Sequence, residues 1–93
     1  MTTHDDWLFT QLQDADFAAD YLTAAAEDPE PAVYLTALHM VAQSRGLGAV
    51  ATAAGLTPST IEQALSPNGN PPWATVTNIL RATGLKLTVN ASH

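Results

Sequence analysis

At 93 residues the chain matches the usual size of one domain, 1–93, and it is short enough that its core should be modest. Hydrophobic residues make up 46% of it, aromatic residues only 6%, and there is no cysteine, which excludes disulfides and thiolate metal sites and fits a reducing cytoplasm. The net charge is −6, no apolar run reaches membrane-span length, and the basic-then-apolar pattern of a signal peptide is missing, so a soluble cytoplasmic protein is expected.

The charge is unevenly placed. Eight of the nine carboxylates lie in residues 1–30, and the only cations are Arg45, Arg81 and Lys86. An acidic front therefore precedes a weakly basic back. Three cations give a DNA complex only a shallow salt dependence.

In chain order, Asp5 to Leu12 carries Trp7, Leu8 and Leu12, enough for two helical turns with one apolar face. Asp14 is placed to cap a helix over Ala15 to Glu27, where Phe17, Ala18, Tyr21, Leu22 and Ala25 keep helical spacing. Asp16, Asp20 and Glu27 fall off that stripe. They read either as a solvated face or as an acidic surface for a basic partner protein. Asp28-Pro29-Glu30-Pro31 then stops one helix and starts another, with Asp28 expected as cap and Pro29 at the first helical position. The next helix runs to about Ser44, with Tyr34, Leu35, Leu38, Val41 and Ala42 inward and Gly46 as its stop. His39 lies beside the stripe with no second ligand at i+4, and His4 and His93 are remote from it, so no metal site is expected.

Leu47 to Ser66 is the organising stretch. Val50, Ala51 and Ala54 fit one short helix, Gly55 ends it, and Thr57-Pro58 opens a second carrying Ile61, Ala64 and Leu65. Small contact residues and a glycine suited to positive φ let two short helices cross closely, which is the layout of a helix-turn-helix with Thr57 to Leu65 as recognition helix. An ordinary αα-hairpin could show a similar pattern. With Ile61, Ala64 and Leu65 inward, Thr57, Pro58, Ser59, Glu62, Gln63 and Ser66 lie on or beside the outer face. Gln63 suits bidentate contact with an adenine edge, while Ser59 and Thr60 suit bases or phosphate. Glu62 repels phosphate unless it meets a cytosine amino group or turns aside.

Ser66 to Pro72 is a loop rich in turn formers, in which Asn68 and Asn70 either reach a phosphate or only shape the turns. Trp73 to Thr83 reads as a last helix, with Val76, Ile79 and Leu80 inward, Gly84 as its stop, and Trp73 read as a core anchor in preference to a base-stacking residue. Leu85 to Val89 alternates apolar and polar residues, so residues 85–90 are expected as a short strand needing a partner from another chain. No Ser-His-Asp spacing, Gly-rich phosphate loop or zinc signature is present; the expectation is a non-enzyme with no cofactor.

Three blocks, DADFAADYLTAAAEDPEP, ALHMVAQSRGLGAVATAAGLTPSTIEQALS and GNPPWATVTNILRATGLKLTV, follow one another in the order found in the HigA-like, Xre-type antitoxins, also called addiction-module antidote proteins. From Asp5 to Val89 the chain resembles that family. Thr60-Ile61-Glu62-Gln63 is also similar to the Ser-Ile-Glu-Gln of lambdoid phage repressors, where the Gln reads bases. The resemblance implies an all-α, lambda-repressor-like bundle of five to six short helices with a short C-terminal strand. It further implies dimerisation, with that strand as one candidate contact, binding to the operator of its own operon, and neutralisation of a small basic RelE/HigB-like toxin. Two departures fall where DNA would be met: Pro58, Glu62 and Gln63 stand where relatives often carry Arg or Lys and an aromatic, and Pro72 replaces a serine.

The combined expectation has an acidic helical segment (1–30), a helix-turn-helix core (31–84) and a terminal strand. Ser59, Thr60 and Gln63 would read bases. Arg45, Thr57, Asn68, Asn70 and Lys86 would hold phosphates, and Asp16, Asp20 and Glu27 would meet the toxin. The alternatives are a protein-interaction module of the same fold with weak or lost DNA binding, and a stand-alone Xre-type transcription regulator.

Overall fold

Six helices make up the regular structure of the computed structural model, which describes residues 4–89 and 91. They are α1 (His4–Leu12), α2 (Ala15–Ala26), α3 (Pro31–Arg45), α4 (Leu47–Ala54), α5 (Pro58–Ala64) and α6 (Trp73–Ala82). Asn90, the last residue of the expected strand, and His93 lie outside the described residues.

Helix α3 is the central member, packing against α1, α2 and α4, while α6 closes over α4 and α5. Leu12, Leu38, Val41, Ile61, Leu65 and Ile79 are fully buried and belong to one core cluster. The apolar stripes read from the sequence face this core: Ala18 and Leu22 from α2, Leu35, Leu38, Val41 and Ala42 from α3, and Ile79 and Leu80 from α6. Trp7 is half exposed and meets Phe17 edge to face at 6.3 Å, which joins α1 to α2.

The start of α2 follows the sequence closely. Asp14 has an extended backbone, and its Oδ1 accepts from the N–H groups of Asp16 and Phe17 at 2.8 and 3.2 Å. The start of α3 does not. Glu30 is its N-cap, without a side-chain cap bond, and Pro31 takes the first helical position. Asp28 instead accepts from the Glu30 N–H at 2.8 Å and closes a local turn. The reason is steric: the ring of Pro31 forces Glu30 out of the α region, so no helix can run from Pro29 through it.

Two further expectations are corrected. Residues 85–89 form no strand, and among the described residues there is no β-structure. No backbone–backbone hydrogen bond joins them to another described residue, because the segment lies along α2, a helix that offers no strand edge to pair with. Trp73 does not anchor the core; it is 66% exposed at the start of α6.

Tyr21 on α2 and Tyr34 on α3 are partly buried against the core, and loss of water pushes both phenols above their ordinary value of 10.0. A raised acid binds more protons in the folded state than in the unfolded chain at high pH. The stabilising contribution is therefore complete below pH 10 and falls as pH rises through the folded values. Denaturant melts from about pH 8 to about pH 11 should show a steeper alkaline loss for the wild type than for a Tyr21→Phe, Tyr34→Phe variant.

Candidate nucleic-acid interface

The crossing of α4 and α5 is set by one glycine. Gly55 has φ +71° and ψ 30°, left-handed geometry that a side chain would strain. Its N–H donates to the Thr52 carbonyl at 3.2 Å, and the Leu56 N–H donates to the Ala51 carbonyl at 2.8 Å. This pair of bonds is a Schellman closure, which satisfies the last carbonyls of α4 and turns the chain sharply. Leu56 then packs half-buried on the core at the join.

Thr57 caps α5. Its Oγ1 accepts from the Thr60 N–H at 3.1 Å and lies 2.8 Å from the Thr60 Oγ1, so two of the expected DNA-contacting hydroxyls are held together. Pro58, at the first helical position, fits a site where no N–H is required. Ile61 and Leu65 are fully buried, while Ser59, Thr60, Glu62 and Gln63 are exposed. The inward and outward faces of α5 are thus the ones its spacing predicts. Ser66, half-buried, donates from its hydroxyl to the Gln63 carbonyl at 3.1 Å and holds the helix end.

Two ties that sequence reasoning missed fix this unit to the rest. The Asn78 side-chain amide of α6 donates to the Ala54 carbonyl at 2.7 Å, anchoring the last turn of α4. At the other end, Gln13 Nε2 donates to the Ser44 carbonyl, and Arg45 Nη1 donates to the Gln13 carbonyl at 3.0 Å. These bonds lock the α1–α2 turn onto the end of α3, just before Gly46 and α4. An amide inside the amphipathic pattern of α6 was the one available signal for the first tie. The second joins residues far apart in the chain and leaves no local signature.

The expected phosphate residues are not gathered in one place. Arg45 is half-buried and engaged with Gln13, and its Nε is buried without a partner among the described residues. Asn68 and Asn70 are exposed on the loop after α5. Lys86 lies along α2, lining a hollow with Asp16, Ala19, Leu22 and Tyr34, so one expected phosphate residue shares a hollow with one expected toxin residue. Asp16, Asp20 and Glu27 are all exposed on or just past α2. His39 is half-buried with its Nε2 unpartnered, and no group of three or more metal-binding side chains occurs among the described residues.

A family model described as "probable addiction module antidote protein" matches residues 5–91, nearly the whole chain. The chain belongs to this family. The antidote family is one of antitoxins in toxin–antitoxin systems, which implies a toxin as partner. An uncharacterised protein of Haemophilus influenzae is 32% identical to this antidote-family chain over 73 residues, spanning 78% of the chain and 75% of its own length. No solved structure matches the antidote-family chain. Among the described residues no helix is long and apolar enough to cross a membrane.

Proposed function

We propose that this antidote-family chain is a cytoplasmic, non-enzymatic antitoxin of the HigA-like, Xre type that binds DNA and represses its own operon. The observation that carries the reading is the α4–α5 unit: a glycine-closed turn, a capped short helix with a buried apolar face, and an outer face of exposed polar side chains. A dimer would set two such helices in successive major grooves about 34 Å apart on a palindrome. Ser59 and Gln63 would read base edges, Thr57 and Thr60 would present their hydroxyls at the helix start, and Asn68 and Asn70 would lie toward phosphates. The exposed carboxylates Asp16, Asp20 and Glu27 would meet a small basic RelE/HigB-like toxin.

The test is a titration of labelled DNA from just upstream of the gene, at several salt concentrations. Sub-micromolar binding, about a thousandfold tighter than to a scrambled duplex, supports the repressor. In that assay Gln63→Ala should weaken the specific complex by about 1–3 kcal/mol and relax base preference at one position. Unchanged affinity would remove Gln63 from the readers.

One observation favours a second reading, a protein-interaction module of the same fold. Arg45, the cation nearest the helix-turn-helix in sequence, is committed to Gln13, and α5 itself carries Glu62 and no cation. Equal binding to operator and scrambled DNA at low salt would favour that module over the repressor.

A further inference from the structure

A hollow between the α2–α3 turn, the first two turns of α6 and Leu87 has no role in the reading above. Its volume is about 340 Å³, and Tyr34, Trp73, Val76, Leu80 and Leu87 line it. Trp73 is 66% exposed and Leu87 46%, so the apolar lining is open to a partner. One carboxylate, Asp28, lines the hollow too. The Glu30 N–H donates to Asp28 Oδ1 at 2.8 Å, which occupies one lone pair and leaves the second oxygen and the charge for a partner. Glu27 and Glu30, in the same turn, are exposed, and no Lys or Arg lines the space. Lys86 lines a neighbouring hollow, which Asp16 shares.

Two aromatic rings and a carboxylate around an apolar space are the groups that recognise a cation carried on an apolar stem. A purely apolar plug would exclude water from Asp28 without offering its charge a counterpart. We infer that the hollow is a socket for one arginine side chain of the toxin. Its methylenes would pack on Val76 and Leu80, while its planar guanidinium would meet an aromatic face and pair with Asp28. The inference rests on the antitoxin reading with a basic toxin, and adds the place where one toxin side chain seats. Charge decides between the possible occupants. DNA phosphates are repelled by Asp28, Glu27 and Glu30. A second copy brings a net charge of −6 toward the same acidic turn, and one of its three cations, Arg45, is engaged with Gln13. A basic partner is attracted.

The experiment is calorimetric titration of the full chain with the small basic protein encoded beside its gene, at low and high salt. The variants are Trp73→Ala, Trp73→Phe, Asp28→Asn, the Trp73→Ala, Asp28→Asn double change, and Val33→Ser. Val33 is exposed in a separate groove between α2 and α3 and serves as the control face. All should keep the wild-type melting temperature: Trp73 is exposed, and Asn retains an oxygen to accept from the Glu30 N–H. Trp73→Ala and Asp28→Asn should each weaken binding by about tenfold or more, and Trp73→Phe by much less. The double change should cost less than the product of the two, because both act on one cation. The Asp28→Asn loss should shrink at high salt, and Val33→Ser should bind like the wild type. Wild-type affinity in both single variants overturns the socket and leaves the antitoxin reading standing, whereas a wild type that does not bind fails both. A loss with Trp73→Ala alone means an apolar plug without a cation and also overturns it. So does a change in self-association of Trp73→Ala in sedimentation without toxin, which would give the hollow to a second copy.

Discussion

Ile61→Ala is expected to lower unfolding stability by about 2–5 kcal/mol, the range for truncating a buried aliphatic side chain. Ile61 is 0% exposed and is the one residue within α5 that is fully buried. That helix has seven residues, fewer than an isolated helix needs to persist in water, so it exists through its packing. The truncation removes dispersion contacts and leaves a void beneath the segment that presents Gln63. Each kcal/mol should appear as about 4–8 °C in the thermal midpoint of a chain this size. Ile61→Val, which keeps most of the volume, should cost only about 0.5–1.5 kcal/mol. Urea melts of the two variants check the ratio, and similar losses for both would mean that Ile61 does not fill the space assigned to it.

Gly69→Ala is expected to be the second most damaging change, at about 1–3 kcal/mol, the usual cost of forcing extra volume into a filled site. A Cβ at Gly69 would lie 2.5 Å from the Ala64 carbonyl oxygen, 2.9 Å from that of Gln63 and 3.0 Å from that of Ser66. All three obstacles are backbone, so the loop or the end of α5 must move. The Gly69 N–H also donates to the Ser66 carbonyl at 2.8 Å, a bond that such a shift would stretch. Gly48→Ala is the counterpart. Gly48 lies inside α4, and a methyl group there would meet nothing within 4 Å. Alanine at this position should therefore raise stability by about 0.5–1 kcal/mol through helix propensity. Opposite signs for the two Gly→Ala changes in urea melts would confirm the close approach at Gly69; the same sign for both would refute it. Amide exchange at Ala64 and Leu65 reports whether the end of α5 is what moves.

The helices were legible because their signals are local. Asp14, Gly46, Gly55, Thr57 and the spaced Leu, Ile and Ala residues act within one or two turns, and the structure uses each as its chemistry suggests. The start of α3 was misplaced because two prolines compete there. Pro29 offers a helix start, but Pro31 forbids the helical backbone that the residue before it would need. Residues 85–89 carry a strand pattern, yet pattern alone supplies no hydrogen-bonding partner, and among the described residues there is none. The expectation for Trp73 failed in a different way. Large aromatics usually fill cores, but the positions inward from α6 are already taken by Ile79 and Leu80. The outer face of α5 was readable from spacing. The engagement of Arg45 with Gln13 was not, since nothing local to either residue announces it.

The division of labour along α5 has a practical consequence for changing what the protein recognises. Ser59, Glu62 and Gln63 are exposed on its outer face, whereas Thr57 and Ile61 hold the helix in place through a cap and a buried side chain. Under the proposed function, these three outward positions form an exchangeable reading head on a fixed mount. A library randomised at Ser59, Glu62 and Gln63 should therefore yield mostly folded variants from which new operator preferences could be selected. Randomising Thr57 should instead lower stability by about 0.5–2 kcal/mol in most variants, the usual cost of losing a helix cap.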